Sequence, residues 1–301
     1  MDARPSTPKY LRWGACLATV FGLFVAQALV GALPTAHAQG NVTIAPTRVV
    51  FEGRERSKEL MLLNRGSEVV TYRISLIQMS MTKEGKLVRA DKPTGGEKFA
   101  DKMLRFAPRQ VRLKPGVAQR VRVMVRKPAK LAEDEYRSHM LFQAMPKAAA
   151  TVDQQVEGGQ LALRLNIVSG ISIPVIVRHG NLSAKTDIKN LTFEKGKKVD
   201  EPDVLKFEMT RKGDKSTYGN LTVKFIPKAE EAEPITLAKL GGVAVYTTHE
   251  IRKFQIPLKP PEGLDVAEAM KLEDGRIVVT YRERSEDGGA LLASEELSLQ
   301  Q

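Results

Sequence analysis

Apolar residues recur at every second position along this chain, and that period restricts what it can fold into. Val70, Tyr72, Ile74 and Leu76 share one parity, as do Val121, Val123 and Val125. Leu205, Phe207 and Met209 repeat the pattern, followed by Leu221, Val223 and Phe225, then Ile277, Val279 and Tyr281. Successive side chains of a strand point to opposite faces, so each run reads as a half-buried strand. Turn-forming sequences separate the runs: Asn64-Arg65-Gly66, Pro115-Gly116, Gly213-Asp214, Gly241-Gly242, Asp274-Gly275 and Asp287-Gly288-Gly289. Many short strands at such spacing predict an all-β chain built of β-sandwiches. Leu264 to Leu272 is the one mild helical candidate. Residues 83–102 and 147–160 read as surface loops.

At 301 residues the chain is long enough for two domains. The longest strand pattern ends at Arg178-His179-Gly180, which places the expected boundary there: residues 39–178 and residues 179–301. The start of the chain reads as a targeting segment. Arg4, Lys9 and Arg12 precede an almost uncharged apolar run from Gly14 to Leu33, and Ala36-His37-Ala38 has the form of a leader-peptidase site. Cleavage after Ala38 would leave 263 residues with net charge +10 and no cysteine, since Cys16 is the only one. Such a chain fits an oxidising compartment only if its cores hold it without disulfides, which the bacterial periplasm tolerates.

Composition also excludes functions. Aromatic residues make up 6%, too few for a base-stacking surface, so no nucleic-acid partner is expected. The nucleophile-elbow, zincin, phosphate-loop and dinucleotide motifs do not occur. His139, His179 and His249 are isolated in sequence and read as surface or strand residues, not metal ligands. The expectation is a protein that is not an enzyme, with no cofactor, no metal and no small-molecule substrate.

The most informative segment is Leu161 to Arg178, LALRLNIVSGISIPVIVR. One parity carries Leu161, Leu163, Leu165 and Ile167, continuing through Ile171, Ile173, Val175 and Val177. Most strands have five or six residues, and Pro174 cannot donate a ladder hydrogen bond, so a bend or an edge position is expected there. Two readings of residues 161–167 stand side by side. They fill the domain's own core, or they pair with a partner that lacks a strand.

Several segments, in order, resemble the periplasmic pilus-assembly chaperones of the chaperone–usher pathway, the PapD-like family. Asn41 to Phe51 (NVTIAPTRVVF) resembles its first strand, with a basic residue before an apolar pair. Phe106 to Gly116, followed by Gln119 to Val123, resembles its central strand–turn–strand signature. Tyr136 to Pro146 and Leu161 to Arg178 resemble its last two strands. Phe207 to Asn220 and Val243 to Tyr246 resemble an immunoglobulin-like sandwich of a divergent branch.

The resemblance implies two immunoglobulin-like β-sandwich domains in tandem. It implies a chaperone that binds pilus or fimbrial subunits by donor-strand complementation and delivers them to an outer-membrane usher, meeting the membrane only through it. Leu161, Leu163, Leu165 and Ile167 are then the donated residues. Arg48 is the candidate anchor for the subunit's C-terminal carboxylate. One departure stands out: the family's second basic anchor aligns with Ser172, and Arg178, of the right parity, lies roughly 20 Å further along at about 3.3 Å per residue. The alternative is an exported two-domain binding module acting as a stable envelope-protein partner.

Overall fold

The computed structural model describes residues 42–145, 170–197, 201–228, 233–258 and 274–299. The leader segment, Asn41, the loop over 147–160, the four donor-strand candidates Leu161, Leu163, Leu165 and Ile167, and the helical candidate Leu264 to Leu272 lie outside these residues.

The first β-sandwich packs two sheets. One has the order β1-β3-β9-β7: β1 (Val42–Ala45), β3 (Ser57–Asn64), β9 (Ala118–Val125) and β7 (Leu104–Ala107). The other has the order β2-β11-β10-β4-β8: β2 (Val49–Phe51), β11 (Gly170–His179), β10 (Asp134–Ala144), β4 (Val70–Ile77) and β8 (Gln110–Leu113). Between them lies a core that includes Phe51, Leu60, Leu62, Tyr72, Val121, Val123, Phe142 and Val175. The rows at 70–76, 121–125, 205–209, 221–225 and 277–281 all turn their apolar parity to this core or to the second one. Full burial of each such side chain contributes roughly 1.5–3 kcal/mol.

The second sandwich packs β12-β13-β16 on β15-β14-β17-β18. The strands are β12 (Ala184–Glu194), β13 (Val204–Gly213), β14 (Thr217–Pro227), β15 (Ile235–Val245), β16 (Ile251–Pro257), β17 (Gly275–Arg282) and β18 (Leu291–Leu299). Its core holds Leu205, Phe207, Met209, Leu221, Val223, Phe225, Ile277, Val279 and Tyr281. Phe207 stacks on Phe254 with ring centroids 4.9 Å apart. The chain is thus two immunoglobulin-like sandwiches in tandem.

Two local expectations change, and the one for Pro174 holds. Gly241-Gly242 is not a turn between strands but lies inside β15, opposite an irregularity in the β14–β15 register. Gly242 has φ +67°, and a Cβ there would meet the Tyr218 hydroxyl at 2.9 Å, so the strand bulges where only glycine fits. Residues 83–102 are not one open loop. They hold the short strand β6 (Leu87–Arg89), which forms a hairpin with β5 (Met79–Met81), and a single 3₁₀ turn at Asp101–Met103. Within them Glu97 is buried, and Gly95 (φ +59°) leaves no room for a side chain against the Thr248 carbonyl of the second sandwich. Pro174 sits in an unbroken strand, paired with His139 on one side. On its other side β2 pairs with β11 only from Val175 onward, so its missing N–H falls at a local sheet edge.

Candidate binding cleft

The first strand segment switches sheets. β1 pairs with β3, and after residues 46–48 the chain re-enters as β2, parallel to β11 in the opposite sheet. Arg48 is therefore held at the sheet edge, immediately before β2. The register then builds rows across three strands. Val50 on β2 lies beside Ile176 on β11, which lies beside Arg137 on β10. Continuing that register gives Glu52–Arg178–Glu135 one step along and Arg48–Pro174–His139 one step back.

Because Val49, Phe51, Val175 and Val177 fill the core, the alternate parity points out of the first sandwich. The second sandwich covers that face. Ile176 packs with Met81, Ala244 and Tyr246 in a small apolar cluster of its own. Glu135, Arg137, Ser138 and His139 are all buried although β10 looks half-polar in sequence.

The charges on this face are arranged around Ser216. Glu135 Oε2 accepts from Arg178 Nε at 3.0 Å, from the Ser216 amide at 3.0 Å and from the Ser216 hydroxyl at 2.9 Å. Arg178 donates to the Ser216 carbonyl at 3.1 Å and also pairs with Glu52. Burial works to lower the Arg178 pKa, but Glu135 and Glu52 outweigh it and hold the pKa above its usual value. Arg48 Nη2 donates to Ser216 Oγ at 3.2 Å, and its guanidinium carbon stands 4.3 Å from the centre of the Tyr218 ring. Its Nε and Nη1 are buried with no hydrogen-bond partner among the described residues. Desolvation lowers the Arg48 pKa, opposed by Tyr246 and Glu135.

Arg48 lines two adjoining hollows of about 600 and 590 Å³ between the sandwiches. Arg178 lines the larger one. The two arginines therefore reach one cleft, but Arg178 is committed to two carboxylates while Arg48 has no ion-pair partner among the described residues. Ser172, at the position of the expected second cation, directs its hydroxyl to the Met79 sulfur at 3.5 Å. Arg48 is half-buried, not the freely exposed strand arginine that composition alone would favour. Sequence reasoning missed Ser216, Tyr218 and Arg284. They lie in another domain, and nothing in their local pattern sets them apart.

Residues 41–178 match the family described as "Pili and flagellar-assembly chaperone, PapD N-terminal domain". The first sandwich is thus similar to the N-terminal domain of the PapD-like chaperones. A search of curated proteins finds no match. Solved structures similar to this PapD-like chain include the Pseudomonas aeruginosa CupB2 chaperone, at 12% identity and TM-score 0.41, covering 85% of this chain and 100% of that one. The E. coli chaperone DraB matches at 11% identity and TM-score 0.38, covering 86% and 98%. A structure of the Salmonella enterica SafA pilin in complex with the SafB chaperone matches at 15% and 0.39, covering 86% and 96%. In this PapD-like protein the cleft between two domains is formed by Arg48 on one side and Ser216, Tyr218 and Arg284 on the other.

Proposed function

We propose that this PapD-like protein is an exported periplasmic chaperone of pilus or fimbrial subunits, with domains 39–178 and 179–301. In this reading it lends residues 161–167 to a subunit as a missing strand, anchors the subunit's C-terminal carboxylate on Arg48, and passes the subunit to an outer-membrane usher.

The observation that carries the reading is how burial fades along β11. Val177 and Val175 are fully buried and Ile173 is 3% exposed, but Ile171, on the same parity, is 39% exposed. Along the described part of β11, the buried row thus ends at Ile173. Leu161, Leu163, Leu165 and Ile167 belong to that parity in the sequence and precede that point. That favours a groove belonging to a partner over an internal one. Arg48 adds support: a desolvated guanidinium at the cleft, with no ion-pair partner among the described residues, favours a carboxylate from outside.

The test is a paired assay. Leu165→Asp should keep the wild-type thermal midpoint yet lose co-purification of fibre subunits from the periplasm, because a charge enters an apolar groove at a cost of several kcal/mol. Arg48→Ala should reduce subunit capture as well. A Leu165→Asp protein that unfolds readily, or that captures subunits as wild type does, overturns the donated strand.

A further inference from the structure

Among the described residues, four line both hollows of the cleft: Arg48, Tyr218, Arg284 and Glu286. Arg48 comes from the first sandwich and the other three from the second. Both cations stand near the Tyr218 ring, with the Arg48 guanidinium carbon 4.3 Å and the Arg284 carbon 5.7 Å from its centre. Arg284 Nη1 donates to the Tyr218 hydroxyl at 3.4 Å, which ties the second guanidinium to the ring that carries the first. The bulge at Gly242 and the Asn220 side chain, which accepts from the Gly242 amide at 3.2 Å, leave the space that the Tyr218 hydroxyl occupies.

We infer that the carboxylate anchor of this cleft is bipartite, with Arg48 of the first sandwich and Arg284 of the second clamping one carboxylate beside Tyr218, and with Glu286 as an internal competitor for Arg284. The inference rests on the carboxylate-anchoring reading above and adds to it the residue that replaces a second cation on β11. Arg284 is free to serve where Arg178 is not. Arg178 is held by Glu135 and Glu52 within the junction. The partner of Arg284 is Glu286, two residues on, in the 3₁₀ turn Ser285–Asp287, and the Glu286 side chain is 64% exposed. An exposed pair of this kind contributes little and yields to an incoming carboxylate. Lys215 is the other basic residue of the second sandwich in the cleft, but it lines only the larger hollow. Splitting the anchor across two domains makes its geometry depend on how the sandwiches are held together.

The probe is the peptide N-acetyl-Ala-Ala-Ala with a free C-terminal carboxylate, compared with the same peptide as its amide. Each is titrated into the exported protein while the arginine Nε–H signals are followed by nitrogen-15 NMR. The carboxylate peptide should shift the signals of both Arg48 and Arg284, and the amide neither. Arg48→Gln and Arg284→Gln should each weaken carboxylate binding about tenfold, the loss of one charge-assisted contact. Glu286→Gln should tighten it several-fold, a gain that a merely structural Arg284 would not produce. If Arg48→Gln weakens binding while Arg284→Gln and Glu286→Gln leave it unchanged, or if Lys215→Gln has the effect expected of Arg284→Gln, the bipartite anchor is wrong and the Arg48 reading survives. If the carboxylate peptide binds no better than the amide, the carboxylate reading fails and takes the inference with it.

Discussion

Breaking the buried ion pair at the junction should cost far more than its exposed counterparts. Arg137 and Glu97 are paired with side-chain exposures of 3% and 1%. Arg137 Nη2 also donates to the Met79 carbonyl at 3.2 Å and to Thr248 Oγ1 at 3.3 Å, and the guanidinium lies 3.7 Å from the centre of the Tyr246 ring. Glu97 accepts from the hydroxyls of Ser80 and Thr248. Removing one partner strands the other in a low-dielectric environment. Glu97→Gln and Arg137→Met should therefore each destabilise the protein by about 3–5 kcal/mol, a large share of a typical total of about 5–15 kcal/mol. Removing both charges relieves that penalty, so the double variant should lose only about 2–4 kcal/mol. The assay is urea unfolding followed by far-UV circular dichroism, because Trp13 is the only tryptophan and lies in the expected leader. Tyr246 and Thr248 belong to the second sandwich, so each single variant should also separate one cooperative transition into two. Single losses that add within about 0.5 kcal/mol in the double variant, or a single loss under about 1 kcal/mol, would refute the argument.

Two further outcomes follow from the same geometry and from the leader. His139 is fully buried, its two ring nitrogens have no hydrogen-bond partner among the described residues, and burial together with the Arg137 charge lowers its pKa to about 3. Its folded pKa lies below an unfolded value of about 6.5, so its neutral state supports the fold above that pH. This stability is lost as pH falls from about 6.5 towards 3, at up to about 1.4 kcal/mol per pH unit. Wild type should lose about 2–3 kcal/mol more than His139→Met between pH 7 and pH 4.5, measured by urea unfolding, and equal losses would exclude the histidine as the cause. For the leader, N-terminal sequencing of the protein from a periplasmic fraction should begin at Gln39, and recovery of the intact chain from membranes would contradict it.

The fold was legible because its signal is local. A two-residue period needs only neighbours in sequence, and rows such as Leu205, Phe207 and Met209 go to the core whichever strand lies beside them. The turn at Pro115-Gly116 was legible for the same reason, since Gly116 has φ +70°. Gly241-Gly242 misled because glycine marks a bulge as readily as a turn, and the choice rests on Tyr218 in the adjacent strand. Arg48 stood out by its place before an apolar pair, but not by its surroundings. Its hydrogen-bond partner Ser216 lies 168 residues away.

What the sequence by itself determined is which parity of each strand is apolar, and with it two β-sandwiches. What only the tertiary structure decided is the fate of the polar parity. Glu135, Arg137 and His139 on one face of β10 look in sequence like a solvated row. They are buried because a second sandwich, encoded some eighty residues and more downstream, lays Ser216, Tyr246 and Thr248 over them. Burial in a sheet is settled by what stacks on its face, and alternation within a strand carries no information about that second layer.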